Sequence, residues 1–174
     1  MTTSQQDVQN SNDSKHGARG FEIQIGNEEL SFHSAFIEDP VPTGRQIIDL
    51  GDFRPALDYQ VFQVLKNGLM ENIRPDETVD LRATEIEKFL IFRSDGSFRF
   101  ELDGDEFQWG ARLITGLTLK KLAKVDLVRY GVWLEVPRGD DVPIADTDLF
   151  DVSKPGVERF FTGIVKTTEG GAPC

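Results

Sequence analysis

An internal repeat constrains the fold of this chain more than any other feature. The chain contains two copies of one pattern. In the first part of each copy, a shift of 72 residues relates Thr43-Gly44 to Thr115-Gly116. A loop that differs by one residue then reduces the shift to 71. The 71-residue shift relates Tyr59 to Tyr130, Val61 to Val132, Ile73 to Ile144, Asp80 to Asp151, Glu87 to Glu158, Lys88 to Arg159 and Phe89 to Phe160. A shared shift over so many positions indicates a duplication, and a unit of about 75 residues can hold its own core.

Each copy begins with a predicted hairpin. Apolar residues alternate with polar ones over residues 21–25 and again over 98–102, which is the period of a strand with one buried face. Gly26-Asn27 and Asp103-Gly104 then predict tight turns. The return strands are predicted at Leu30 and Phe32 and at Phe107 and Trp109.

A short helix and further strands follow in both copies. Thr43 and Thr115 are predicted N-caps of helices over residues 45–50 and 117–123, with Gly51 ending the first helix. The remaining predicted strands contain Tyr59, Val61 and Phe62; Val79 and Leu81; Phe89 to Phe92; and Tyr130, Val132 and Trp133. The Thr-Gly pairs therefore serve as helix starts, and we assign them no catalytic role.

Composition divides the chain into ordered units and polar ends. Residues 1–19 lack apolar periodicity and predict a disordered arm. The predicted domains are 20–93 and 98–166, joined by a short linker at 94–97 that restricts their relative motion. Residues 167–174 form a predicted flexible C-terminal tail.

Charge and residue usage exclude several classes of function. The chain has 30 acidic and 19 basic residues and a net charge of -11, which argues against nucleic acid as a partner. No apolar run approaches the roughly 20 residues that span a bilayer, so we expect a cytoplasmic protein with no membrane partner. The single cysteine, Cys174, excludes an internal disulfide and a cysteine metal cage, and neither His16 nor His33 has an evident catalytic partner. We expect no cofactor, no metal site and no catalytic residue, and therefore no enzymatic activity.

The order of hairpin, helix and further strands is that of the β-grasp fold, and the chain resembles the bacterial multiubiquitin-type family of tandem ubiquitin-like proteins. The matching segments are residues 21–25, TGRQI at 43–47, DY at 58–59, DETVDL at 76–81 and EKF at 87–89, echoed in the second copy by TGLTL, RY, DTDLFDV and ERF. The resemblance covers about residues 20–165. It implies an α+β fold of two tandem ubiquitin-like β-grasp domains.

The resemblance also implies partners. Such proteins are encoded beside an activating-enzyme homologue, a conjugating-enzyme homologue and a JAB-type metalloprotease. In the two-domain, Bil-type subset, which resembles the interferon-induced tandem ubiquitin-like modifier, the system acts in antiphage defence. The expected target is then a protein such as a phage structural component.

The tail carries the residues expected to react. A modifier of this kind needs a C-terminal glycine carboxylate, and glycine passes through narrow enzyme channels because it has no Cβ. Gly170-Gly171 lies after the last predicted strand of the second copy. We expect cleavage after Gly171, which would release Ala172, Pro173 and Cys174. The first copy has no diglycine, so the two domains are expected to stay together.

Other interpretations remain open at this point. Gly170-Gly171 is also typical of a loose chain end, and the protein could then be a non-covalent β-grasp adaptor. A sulfur-carrier-like role or an unrecognised carboxylate site are further alternatives. Chain formation through the protein's own lysines would use Lys120, Lys121, Lys124 or Lys166 as acceptors.

Overall fold

The computed structural model describes residues 20–82 and 85–165. Its first domain is one five-stranded mixed sheet with a single helix packed on one face, in the strand order β2-β1-β5-β3-β4. The elements are β1 (Phe21–Gly26), β2 (Phe32–Ile37), α1 (Gly44–Leu50), a 3-10 turn (Ala56–Asp58), β3 (Tyr59–Val64), β4 (Met70–Ile73) and β5 (Glu87–Arg93). The predicted arm at 1–19 and tail at 167–174 lie outside the described residues.

The second domain repeats this arrangement in the sheet order β7-β6-β12-β9-β10. Its elements are β6 (Phe98–Leu102), β7 (Asp105–Trp109), β8 (Leu113–Thr115), α2 (Gly116–Leu122), β9 (Tyr130–Leu134), β10 (Val142–Ile144), β11 (Leu149–Asp151) and β12 (Glu158–Ile164). In both domains the first strand runs parallel to the last. The predicted pair of ubiquitin-like β-grasp domains is confirmed.

The sequence repeat is also the structural repeat. Tyr59 and Tyr130 each begin the third strand of their sheet, and Glu87 and Glu158 each begin the central strand. The additional pair β8 and β11 occurs in the second domain only among the described residues. Neither helix in these residues is long and apolar enough to cross a bilayer.

The Thr-Gly pairs have a structural explanation. Thr43 Oγ1 accepts a hydrogen bond from the Gln46 N–H at 3.3 Å, and Thr115 Oγ1 accepts one from the Thr118 N–H at 3.0 Å, so both predicted N-caps are confirmed. The glycine that follows each threonine packs against backbone. A Cβ on Gly116 would overlap the Ala145 carbonyl oxygen. Glycine at this position therefore lets each helix start lie directly on the loop that follows the fourth strand.

The first predicted turn is wrong in length. β1 and β2 are joined by a five-residue loop at 27–31, and Leu30 lies in this loop rather than in the return strand. The Asn27 side chain closes the loop by accepting hydrogen bonds from the N–H groups of Glu29 and Ser31, both at 3.1 Å. The positive φ falls on Leu30, at 57°, rather than on the predicted glycine and asparagine. At Asp103-Gly104, by contrast, both φ angles are positive and the predicted tight turn is confirmed.

The strand predicted at Val79 and Leu81 is also wrong. Both side chains are buried, but the segment makes one isolated bridge, between Thr78 and Thr43. The N–H groups of Val79 and Leu81 donate to the carbonyls of Pro42 and Pro40, each at 2.9 Å. Because Pro40 and Pro42 have no backbone N–H to donate to the opposite segment, a regular β-ladder of hydrogen bonds does not form here.

The first sheet is buried on both faces around β5. Phe89 and Ile91 belong to the core under α1, whereas Leu90 and Phe92 belong to a second apolar cluster together with residues of the second domain. Phe92 packs edge-on against Phe62, with ring centroids 5.4 Å apart, and against Trp109 of the second domain at 4.8 Å. The two domains therefore share a continuous apolar interface.

Candidate functional site

The candidate site is the point where the last strand of the second domain ends. β12 lies in the interior of its sheet, between β6 and β9. After β12, the Val165 N–H donates to the Arg129 carbonyl at 2.8 Å. Ile164 and Val165 are 61% and 45% exposed. The last described residue, Val165, thus lies beside the start of β9, a position that we call the chain exit. Gly170, Gly171, Ala172, Pro173 and Cys174 lie outside the described residues.

The loop at this exit is held by short polar contacts. The Asp126 carboxylate accepts hydrogen bonds from the N–H groups of Val128 and Arg129, both at 2.9 Å. These donors, Arg129 first, lower the pKa of Asp126 below its ordinary value. The carbonyl of Asp126 also accepts from the Tyr130 N–H, so the loop is fixed to the first residue of β9.

Beside the exit lies an aromatic face on the outer side of the second sheet, formed by Trp133 and Phe161. Their rings stack with centroids 5.7 Å apart and an interplanar angle of 14°. Gly131 and Gly163 make room for the indole, because a Cβ on either would lie 2.9 Å or 3.2 Å from the Trp133 ring. Aromatic side chains on an accessible face are common anchors in protein recognition.

The rest of this outer face is charged. Arg159 pairs with Glu101 at 3.3 Å, and Arg99 pairs with Glu106 at 3.7 Å. The outer side of the second sheet therefore has an aromatic half next to the chain exit and an ionic half away from it. Apolar contacts bordered by charged pairs are typical of protein–protein interfaces.

The first copy buries the equivalent position. By the 71-residue shift, Phe62 corresponds to Trp133 and Leu90 to Phe161, and both Phe62 and Leu90 are fully buried against the second domain. A Cβ on Gly110 of the second domain would approach the Phe62 ring to 2.7 Å. At this position of the repeat, the residues of the second domain, Trp133 and Phe161, are only half-buried.

The end of the central strand also differs between the copies. The Ser94 N–H donates to the Asp58 carbonyl at 3.0 Å, which repeats the bond between Val165 and Arg129. In the first copy the chain then passes directly into β6, and Ser94 turns it by bonding Gly96. In the second copy the same exit leads to the segment that contains the diglycine.

The predicted acceptor lysines differ in their surroundings. Lys120 is buried, and its ammonium contacts Asp146 Oδ1 and the Leu127 carbonyl, both at 2.6 Å, so it braces the exit loop and is not free to accept a modifier. This contradicts its assignment as an acceptor. Lys121 donates to the Glu29 carbonyl at 2.7 Å, Lys124 is exposed, and Lys166 lies outside the described residues.

The candidate metal-ligating side chains of the structure lie within residues 20–82 and 85–165. His33 is an exposed residue of β2, and no group of three His, Cys, Asp or Glu side chains there is placed to hold a metal ion. The Asp151 carboxylate accepts hydrogen bonds from Arg112 and Ser153, which lower its pKa below the ordinary value. These bonds tie β11 to the start of β8 and have a structural role.

Comparison with known families decides the assignment. A family model described as multiubiquitin matches residues 30–94 and again residues 98–163, which together make up more than half of the chain. The chain belongs to the multiubiquitin family. The first match covers the first sheet from β2 to β5 and leaves out β1, and the second match covers nearly the whole of the second domain, so each β-grasp domain corresponds to one multiubiquitin match. Among curated proteins, none matches the chain at a significant level.

Sequence reasoning found the fold and the diglycine but missed the aromatic face and the domain interface. One signal was available. Residues 89–92 are four consecutive apolar residues, a pattern typical of a strand buried on both faces. The equivalent residues 160–163 are Phe-Phe-Thr-Gly, which lack this pattern and correspond to the uncovered face.

Proposed function

We propose that this multiubiquitin protein is a ubiquitin-like modifier, cleaved after Gly171 and joined through the new C-terminal carboxylate to amines of target proteins. The observation that carries the proposal is the difference between the two copies. The second domain leaves Trp133 and Phe161 only half-buried beside the chain exit, whereas the first domain fully buries the equivalent residues and continues into the next strand. One reactive end with one uncovered recognition face fits a modifier that acts as a two-domain unit.

In this proposal the chemistry belongs to partner enzymes. A JAB-type metalloprotease hydrolyses the bond between Gly171 and Ala172. An activating-enzyme homologue then joins the Gly171 carboxylate to AMP from ATP, with release of pyrophosphate, and transfers the acyl group to a thiol with release of AMP. A conjugating-enzyme homologue passes it to an amine, forming an amide and freeing the thiol.

The proposal includes a setting for this chemistry. The partners come from the resemblance to Bil-type operons, and the proposed role is antiphage defence in the cytoplasm, with a phage structural protein as a target. The aromatic face at Trp133 and Phe161 is the surface that the activating and conjugating enzymes would contact while the tail enters their active sites. The segment before the diglycine, Thr167-Thr168-Glu169, lacks the basic residues that precede the diglycine of eukaryotic ubiquitin, so recognition by a eukaryotic activating enzyme is unexpected.

The test is conjugation by a form of the chain that ends at Gly171. With ATP and the activating-enzyme homologue, this form should give a thioester that is cleaved by a reducing thiol. Gly171→Val should abolish the thioester without changing the unfolding transition, because both apolar clusters of the described residues are built from residues that precede Val165. Thr168→Val is the matched control, since it alters the tail but keeps both glycines. Thioester formation by Gly171→Val would refute the proposal.

The non-covalent adaptor is the second candidate, and the shared apolar interface favours it, since an interface of this kind makes the two domains a fixed binding platform. It predicts that a chain lacking residues 170–174 retains its biological activity. Complementation of a defence-deficient strain with this truncated form separates the two candidates, because the modifier proposal predicts complete loss of protection.

A further inference from the structure

A groove of about 480 Å³ opens between the two domains, on the side away from the aromatic face. The outer side of the first sheet forms one wall and α2 of the second domain forms the other. Its floor is apolar and includes Phe32, Met70 and Leu90 of the first domain and Leu122 of the second. A volume of this size accommodates a few side chains of a bound peptide.

The rim of the groove is positively charged in a chain of net charge -11. Four of the six lysines in the described residues line it, namely Lys66, Lys88, Lys121 and Lys124. Two carboxylates, Glu85 and Glu87, are also part of the lining. The groove therefore has a local excess of positive charge on an otherwise acidic protein.

The carboxylates of the lining do not neutralise most of these lysines. Glu85 pairs with Lys66 at 3.2 Å, and Glu87 accepts a hydrogen bond from the Gln63 amide at 2.8 Å. Within residues 20–82 and 85–165, no carboxylate lies within 4.0 Å of the ammonium groups of Lys88, Lys121 or Lys124. These three cations are therefore available to a bound anion.

The same lysines are positioned by the domain interface. The ammonium of Lys121 is bonded to the Glu29 carbonyl of the first domain at 2.7 Å, and that of Lys88 lies over the Phe32 ring, 5.6 Å from its centroid. A Cβ on Gly68 would lie 2.7 Å from the Lys124 ammonium, which places Lys124 close to the first domain as well. The positive rim exists only while the two domains are packed together.

We propose that this groove binds a short acidic segment of a partner protein, with apolar side chains on the floor and carboxylates facing the lysines of the rim. Charge complementarity selects this occupant, because an acidic protein repels a long polyanion but attracts a few carboxylates to one positive groove. The lysine ammonium groups of the rim are point charges on flexible side chains, so they can pair with carboxylates at varied positions along a bound segment. The proposal does not depend on conjugation through Gly171.

The probe is a dodecapeptide made of three Glu-Leu-Asp-Phe units, added to the full chain while amide resonances are followed by NMR. Shifts should concentrate on the groove, and the affinity should fall as salt is raised. A peptide of Glu-Ser-Asp-Ser units tests the need for apolar side chains, and a peptide of Lys-Leu-Lys-Phe units tests the sign of the charge. Both should leave the groove resonances in place.

The variant Lys88→Glu/Lys124→Glu should weaken the binding of the acidic peptide at least about tenfold, which corresponds to about 1.4 kcal/mol. Lys154→Glu is the matched control. The Lys154 ammonium also lies over a phenylalanine ring, 5.8 Å from the centroid of Phe150, but neither residue lines the groove. It should change the affinity less than about twofold.

Three results would overturn the proposal. The first is no shift of groove resonances with the acidic apolar peptide at concentrations up to about 1 mM, the weak end of specific binding. The second is equal weakening by Lys154→Glu. The third is movement of the groove resonances with protein concentration alone, which would make the groove a contact between copies of this chain. The thioester test depends on the C-terminal tail and not on the groove. A negative result in the peptide-binding experiment therefore leaves the modifier proposal unaffected.

Discussion

Replacing Phe92 with alanine should uncouple the two domains without unfolding the core of the first. Phe92 is 1% exposed and lies on the outer side of β5, away from the core under α1. Its ring contacts Phe62 of its own sheet and Trp109 of the second domain. The substitution therefore removes contacts that hold the domains together and leaves intact the residues that pack under α1.

The expected cost follows from these contacts. Truncation of a buried phenylalanine to alanine destabilises a protein by about 3–5 kcal/mol. Two edge-on aromatic pairs of about 0.5–1.5 kcal/mol each are included in that loss. Because a large share of the contacts crosses the interface, the loss should appear as reduced cooperativity between the domains. One unfolding transition in the natural chain should become two in Phe92→Ala.

The assay is urea unfolding followed by tryptophan fluorescence and by far-ultraviolet circular dichroism. Trp109 reports on the interface and Trp133 on the outer face of the second sheet. Phe161→Ala is the matched control, since Phe161 occupies the position of Leu90 in the repeat but lies on the uncovered face. It should cost less than about 1.5 kcal/mol, mainly its stacking on Trp133.

A buried aromatic residue should cost more to remove than a half-buried one. The reasoning is refuted if Phe92→Ala lowers the free energy of unfolding by less than about 1 kcal/mol, or if Phe161→Ala lowers it as much as Phe92→Ala does. Rotational correlation times from NMR relaxation give an independent test. The natural chain should tumble as one body, whereas Phe92→Ala should show two faster-tumbling bodies.

Three further predictions address other parts of the fold. Gly116→Ala should destabilise the protein by about 1–3 kcal/mol in thermal unfolding, because the added Cβ meets a carbonyl oxygen, whereas Gly96→Ala should have little effect because its Cβ would make only an ordinary contact, 3.8 Å from the Phe98 ring. Lys120 should resist acetylation by a soluble ester that modifies exposed Lys154, as read by peptide mass spectrometry, and equal modification of both would contradict its burial. Folding favours the ionised form of Asp151, because its pKa in the folded protein is below the ordinary 3.8. The stabilisation from this carboxylate is therefore present above about pH 4 and is lost as the pH falls through the folded-state pKa. Asp151→Asn should reduce this pH dependence of the free energy of unfolding, measured between about pH 5 and pH 2.

The sequence predicts the elements that depend on local patterns. Strand alternation, the two threonine caps and the Asp103-Gly104 turn are set by residues close in the chain, and the structure confirms each of them. The repeat adds long-range information, because one register places Tyr59 and Tyr130 at the same position of two sheets. Fold and duplication therefore follow from the sequence without any knowledge of tertiary contacts.

The sequence does not predict features that depend on distant partners. The loop at 27–31 is longer than a tight turn because it also contacts α2, where its carbonyls accept hydrogen bonds from Thr118 and Lys121. Nothing local separates Lys120 from Lys121, yet only Lys120 meets Asp146, which lies 26 positions along the chain. Interfaces and buried ion pairs of this kind are set by tertiary packing.

The measurement that tests the central claim most directly is the intact mass of the full chain after incubation with the JAB-type metalloprotease homologue. The modifier account predicts loss of Ala172, Pro173 and Cys174 and a product that ends at Gly171, with no cleavage of Gly171→Val. An unchanged mass, with a protease that cleaves a control substrate, would contradict the account.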